Sequence, residues 1–192
     1  MLGGVTVNIL LAFVIYAGIL MTWGEKKIPA SSLKHGITFN DSLFNDLGFK
    51  NGDKVLAVDG KPVVEYTDIL KKILVVNNNV TVEREGKVTV LNMPVDLIGK
   101  LVEKKKLADG PLISPRIPVI ISEIRDTSFA YKAGLRKGDL SVRVDTVQTK
   151  FYDQFDAVMK KQKKGDTINL VVKRNDSLIN LTTTLIAGGK IG

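Results

Sequence analysis

Cysteine is absent from the 192 residues, and histidine occurs once, as His35. Without cysteine there is no disulfide, no thiolate metal ligand and no cysteine nucleophile. Catalytic zinc sites commonly draw two or three histidines, so this chain holds too few to assemble one by itself. Charge is missing from one long stretch, Leu2 to Trp23. Elsewhere the composition is that of a globular protein, 44% hydrophobic and 25% charged, with enough apolar material for real cores. A formal charge of +8 favours anionic lipid, nucleic acid or acidic peptide as neighbours. The runs Lys104–Lys106 and Lys160–Lys164 lack interleaved aromatics, however, and read as solvated helix ends, which argues against a nucleic-acid partner.

Residues 2–23, wound as a helix, rise ~33 Å, about the thickness of a bilayer core. Trp23, followed by Glu25, Lys26 and Lys27, has the pattern of an interfacial aromatic and a polar exit. A secretory signal peptide would have a basic start and a shorter apolar core, and this segment has neither. A transmembrane helix is therefore expected over residues 1–24, with the lipid bilayer as a partner. Asn8 is its one strongly polar side chain, of a kind that in hydrocarbon faces a protein interior or cavity. Gly3 and Gly4 beside it permit close helix packing.

The remainder repeats itself. Gly48-Phe49-Lys50-Asn51-Gly52-Asp53 recurs 86 residues on as Gly134-Leu135-Arg136-Lys137-Gly138-Asp139, and the match runs on through Val55–Asp59 and Ser141–Asp145. In the first copy a short strand at Ile37–Phe39 leads to a helical turn and a strand at Lys54–Val58. Ile69, Leu70, Ile73 and Leu74 then fall on one helix face, and two alternating strands flank Glu85-Gly86. The second copy offers Ile117–Ile121, a strand over Asp139–Val144, a helix with Phe151, Phe155, Val158 and Met159 inward, and strands around Asn175-Asp176. The expected fold is α+β but mostly β. It comprises two tandem, partly open β-barrels with one main helix each, over residues 30–95 and 112–188, joined by a linker at 96–111.

Ala133-Gly134-Leu135-Arg136-Lys137-Gly138-Asp139 closely resembles the A-G-L-x-x-G-D signature of bacterial PDZ domains, and Leu47–Gly60 follows it with Leu47 in place of alanine and Phe49 in place of leucine. Two such units behind a membrane helix resemble the RseP-type site-two proteases, intramembrane zinc metalloproteases with periplasmic tandem PDZ domains. Gly4-Val5-Thr6-Val7-Asn8 keeps the glycine and asparagine of that family's G-P-x-x-N membrane motif and replaces its proline by Val5. Trp23-Gly24-Glu25-Lys26 and Ser114-Pro115-Arg116-Ile117-Pro118 look like the junctions with each PDZ domain. The family's H-E-x-x-H and L-D-G motifs do not occur here. The resemblance therefore transfers no catalytic or metal-binding residue, except Asn8 as a contributor near the active site. It implies a fragment, inactive alone, of a zinc enzyme in the bacterial inner membrane, with the PDZ domains in the periplasm.

PDZ grooves take an extended peptide as an added strand between an exposed strand edge and a helix. The first groove is expected from Gly36, Ile37, Thr38 and Phe39 with Ile69, Leu70 and Ile73. The second is expected from Ile117, Val119 and Ile121 with Phe155, Val158 and Met159. The loop Leu112–Arg116, with Ser114 and Arg116, would present N–H groups and charge to a terminal carboxylate. The partner is then an extended peptide or membrane-protein substrate, and the role is to gate access to a protease. The alternative is a membrane-tethered PDZ adaptor that catalyses nothing. A fragment of a serine protease with two PDZ domains is a third class, which the hydrophobic start disfavours.

Overall fold

The computed structural model describes the chain except residues 1–2, 25–26, 76, 78, 95, 104–109, 187–190 and 192. Glu25, Lys26 and the run Lys104–Lys106 thus lie outside the described residues. Helix α1 (Gly3–Trp23) is continuous and buries none of its side chains, and it is long and apolar enough to cross a membrane. Asn8 is exposed on it, and a Cβ at Gly3 or Gly4 would meet nothing within 4 Å.

The first repeat runs β1 (Ile37–Phe39), α2 (Ser42–Asp46), β2 (Lys54–Val58), β3 (Lys61–Pro62), α3 (Tyr66–Leu74), β4 (Asn79–Arg84) and β5 (Lys87–Asn92). Local chemistry sets the joints. The Asp41 side chain accepts from Leu43 N at 2.9 Å and caps α2. Asp59-Gly60 and Glu85-Gly86 take positive φ in pairs, the backbone that tight hairpins need. The antiparallel order is β3-β2-β4-β5. Ile69 and Ile73 on α3 are fully buried against Val80, Val82 and a trio of phenylalanines, Phe39, Phe44 and Phe49, whose ring centroids lie 4.7 to 5.8 Å apart.

The second repeat contains α5 (Phe129–Lys132), β7 (Leu140–Val144), β8 (Val147–Gln148), α6 (Tyr152–Met159), β9 (Thr167–Arg174) and β10 (Ser177–Thr184), with sheet order β10-β9-β7-β8. Even the irregularity is duplicated: the register slips between Val55 and Ala57 in β2 and between Ser141 and Arg143 in β7, a bulge that bends each central strand. Its core is Ala130, Leu135, Val144, Met159, Ile168, Leu170, Val172, Leu181 and Leu185.

Each unit is an open four-stranded sheet, in keeping with the partly open, mostly β form expected. One expectation changes: the linker does not end where the second unit begins. Helix α4 (Leu97–Glu103) buries Leu97 and Leu101, one turn apart, and strand β6 (Ile113–Pro115) pairs antiparallel with β1 of the first unit. Ile113 sits in the first core, so the stretch taken as the start of the second unit completes the first.

Candidate peptide-binding edges

The repeated Gly-x-x-Gly-Asp turn owes its form to a buried carboxylate. Asp53 and Asp139 are 1% and 0% exposed. Arg84, at the end of β4, donates to both Asp53 oxygens at 2.8 and 2.7 Å and to Gly48 O at 2.8 Å. Arg174, at the end of β9, does the same to Asp139 and Gly134 O, each at 2.7 Å. The N–H groups of Lys50 and Arg136 complete the two carboxylates. Hydrogen bonding to Asp53 raises the Arg84 pKa. For Asp139 burial pushes upward, but the hydrogen bonds from Arg174 and Arg136 N–H, with their charges, outweigh it and hold the carboxyl below the ordinary range. These locks fix the loop that carries the next feature, the strand edge.

In the first unit Ile37 N donates to Asp53 O, and Gly52 N donates to Ile37 O. In the second, Ile121 N donates to Asp139 O, and Gly138 N to Ile121 O. Ile37 and Ile121 are therefore equivalent, and so are Gly36 and Ile120, and Thr38 and Ser122. Upstream, Tyr66 N donates to Ile28 O and Tyr152 N to Ile117 O, which makes Ile28-Pro29 equivalent to Ile117-Pro118. The first unit reaches β1 through a longer route, a 3-10 turn at Ala30–Ser32 and Gly36 at φ +71. A Cβ on Gly36 would collide with the Gly52 carbonyl, so this position requires glycine.

The other edges of the two strands differ. In the first unit β6 covers it: Arg116 N donates to Gly36 O and Asn40 N to Leu112 O, with Thr38 opposite Ser114. Asn40 Nδ2 also reaches Pro111 O at 2.7 Å, and the Tyr66 hydroxyl donates to Ile113 O at 3.2 Å. In the second unit Val119 and Ile121 turn their hydrogen bonds inward, to Lys150, Ser141, Asp139 and Gly138, as does Ile117 O to Tyr152. Pro118 and Ile120 form only isolated bridges to Phe151 and Leu140. The bonds of those bridges belong to their neighbours, so the C=O of Pro118 and the N–H and C=O of Ile120 face outward. Among the described residues no hydrogen bond reaches them or the N–H of Ser122.

The sequence-selected residues accordingly separate. Gly36, Ile37, Thr38 and Phe39 are buried under β6, and Ile69 and Ile73 lie in the core with Leu70 packed against it. That edge is not free for a peptide, because the chain's own linker strand occupies it. Ser114 belongs to β6 rather than to a carboxylate loop of the second unit. Arg116 donates to Asp153 Oδ1 and Oδ2 at 3.1 and 3.2 Å and lies 4.1 Å from the Phe151 ring centroid. Met159 is buried in the second core, with Phe155 and Val158 packed against it. Within the edge expected at Ile117–Ser122, the outward backbone groups belong to Pro118, Ile120 and Ser122, which alternate with the selected Ile117, Val119 and Ile121. The signal was available: alternate residues of an edge strand point their backbone to opposite sides.

A cleft of about 880 Å3 separates this region from the first unit, with Thr38, Asn40 and Ser114 on one wall and Tyr152, Asp153 and Asp156 on the other. Among the described residues no cluster of histidine, aspartate or glutamate could hold a metal ion.

An open sheet with a helix laid beside an unfilled strand edge is the architecture of a PDZ domain, and a PDZ family profile matches residues 97–185. That span takes in β6, although β6 pairs with the first unit. The chain is also 30% identical over 116 residues, 56% of its length, to a protein of Rickettsia conorii named "Putative zinc metalloprotease", of which it covers 32%. It thus spans about a third of that relative. Among solved structures, the PDZ domain of the SdrC-like protein from Listeria monocytogenes is 26% identical and aligns with 36% of this chain and 73% of its own, at a TM-score of 0.34. The profile and the metalloprotease match bear out the resemblance to a PDZ-bearing segment of an RseP-type site-two protease.

Proposed function

We propose that this chain is the non-catalytic, substrate-facing PDZ region of a membrane-embedded zinc metalloprotease that cleaves within the membrane. The observation that carries the reading is the row of outward backbone groups at Pro118, Ile120 and Ser122 on a PDZ unit, unmet among the described residues, a form that takes an extended polypeptide as an added strand. The metalloprotease match supports the protease context, and α1 supports a tether in the bilayer. The zinc and its ligands belong to other parts of the full-length protein, because this chain carries neither H-E-x-x-H nor enough histidine. The periplasm is the compartment the family resemblance implies. Gating follows from position: a strand acceptor tethered just outside the bilayer holds substrate near the buried site.

The test is binding of extended-peptide libraries, with free and amidated ends, to the whole chain in detergent micelles. Saturable binding that protects amides of the second unit supports the reading, and absence of binding across the libraries defeats it. Since the chain has no native cysteine, a single Asp176→Cys reports topology in inverted and right-side-out membranes. Labelling only from the cytoplasmic face would overturn the periplasmic assignment. A coding region without H-E-x-x-H upstream would favour the adaptor.

A further inference from the structure

The first unit already holds an occupant in a position that no described strand takes in the second. Strand β6 lies along Gly36–Asn40, antiparallel, and is fastened at three places. Its flanking backbone pairs through Leu112 O and Arg116 N, and Ile113 enters the core at 5% exposure. The hydroxyl of Tyr66, the first residue of α3, holds Ile113 O. The second unit repeats the strand edge and the helix-opening tyrosine of this acceptor, with no described strand against it. Ile120 and Ser122 stand where Gly36 and Thr38 stand, with their outward N–H and C=O groups unmet among the described residues. Tyr152 stands where Tyr66 stands: each opens its helix, and each donates its backbone N–H to the isoleucine of an Ile-Pro pair. Yet Tyr152 is 56% exposed, and its hydroxyl has no hydrogen-bond partner among the described residues. The side chain of Ile120 is 54% exposed.

We infer that the edge Pro118–Ser122 is an acceptor for a strand of the β6 kind: an internal stretch of a partner polypeptide, antiparallel to Ile120 and clamped by the Tyr152 hydroxyl on a backbone carbonyl. Strand β6 is bonded in mid-chain, so its mode of binding uses no terminal carboxylate. Its sequence, Pro-Leu-Ile-Ser-Pro-Arg-Ile over residues 111–117, states the chemistry: an apolar residue to enter the sheet face, a small residue opposite Ser122, and a proline where no N–H is needed. Backbone pairing supplies most of the contact, so the acceptor tolerates varied sequences that keep this pattern. The inference deepens the peptide-binding reading and rests on it.

The experiment uses the whole chain in detergent micelles and a fluorescent peptide of residues 111–117, acetylated and amidated. Saturable binding is expected, with slowed exchange at the amides of Ile120 and Ser122 and less than twofold change when the peptide carboxylate is free. Methylating the peptide's serine backbone nitrogen removes one pairing group without touching the protein, and is expected to weaken binding tenfold or more. Tyr152→Phe is expected to weaken it about threefold, the scale of one neutral hydrogen bond. Binding indifferent to N-methylation, or protection elsewhere than Ile120 and Ser122, overturns the inference. So does a tenfold preference for the free carboxylate, which leaves peptide binding itself intact but in a terminal mode. Concentration-dependent dimerisation that displaces the peptide also overturns it, in favour of a second copy of this chain as occupant.

Discussion

At the scale of single residues, the repeat makes the second unit readable against the first. Val55 and Val63 are buried in the first unit, and the equivalent positions in the second hold Ser141 and Thr149, whose hydroxyls meet at 2.8 Å in the interior. Removing one partner strands the other, whereas removing both restores an apolar contact. Ser141→Val alone is therefore expected to lower stability by about 1 kcal/mol, and Ser141→Val with Thr149→Val to recover that loss in urea melts. Thr183 is simpler: its buried Oγ1 has no hydrogen-bond partner among the described residues, so Thr183→Val is expected to stabilise by about 1 kcal/mol. Asp139 is the opposite case, fully buried and fully bonded. Asp139→Ala leaves the Arg174 guanidinium and the Arg136 N–H without their acceptor; since Arg174 is a third exposed and water can take it up, the expected cost is about 1 to 2 kcal/mol. Because its carboxyl titrates below the usual range in the folded state, its stabilisation is complete above the unfolded pKa of about 4. It is lost as pH falls through the lower folded value. Unfolding free energies measured from pH 7 downward should decline below about pH 4, and Asp139→Asn should flatten that decline while lowering stability at pH 7.

At the scale of elements, β6 separates two otherwise matching strands, and hydrogen exchange reads the difference directly. The register places Thr38 opposite Ser114 between the Gly36–Arg116 and Asn40–Leu112 contacts, which makes it a mutually hydrogen-bonded pair. The Thr38 amide is expected to exchange slowly and those of Ile120 and Ser122 quickly. Ser114→Pro removes the pairing N–H and should bring Thr38 toward the fast class. Most elements were legible because their signals are local: Ile69 and Ile73 at helical spacing, Asp59-Gly60 and Glu85-Gly86 as turns, and the duplicated glycine-aspartate loop. The location of β6 was not. A three-residue strand flanked by Pro111 and containing Pro115 has almost no pattern of its own, and its partner is chosen by distant groups, Asn40 Nδ2 and the Tyr66 hydroxyl. The arginines that lock Asp53 and Asp139 also went unnoticed, although each precedes a hairpin turn at the matching place in the repeat. Pairing across 31 or 35 residues becomes visible only once the strands are in register.

At the scale of the whole molecule, Arg116 ties the two units together by doing separate things with its backbone and its side chain. Its N–H holds β6 on the first unit through Gly36 O, while its guanidinium pairs with Asp153 on α6 of the second and covers the Phe151 ring. Asn51 of the first unit donates to the same carboxylate at 3.1 Å, and His35 lies 5.1 Å from Phe151, ring centroid to ring centroid. Gly52 leaves the room for this: a Cβ there would stand 2.6 Å from Arg116 Nη1. Arg116 and Asp153 are 14% and 10% exposed, so water does little to screen them, and both are anchored by packed neighbours. A junction built on one carboxylate fails when that carboxylate is removed, even though neither unit's core includes it. Asp153→Ala should therefore broaden the distance distribution between spin labels at Lys87→Cys and Asp176→Cys, one in the β4–β5 hairpin and one in the β9–β10 hairpin. Slow exchange at Val82 and Val172 should persist, because those strands take their stability from their own sheets. Arg116→Lys keeps the charge but loses the two-pronged contact and the flat face over Phe151, and is expected to broaden the distribution nearly as much. A distribution unchanged in both variants would mean that packing of Phe151 and His35 alone sets how the units sit. Unfolding of the second unit in Asp153→Ala would instead make the junction part of its core.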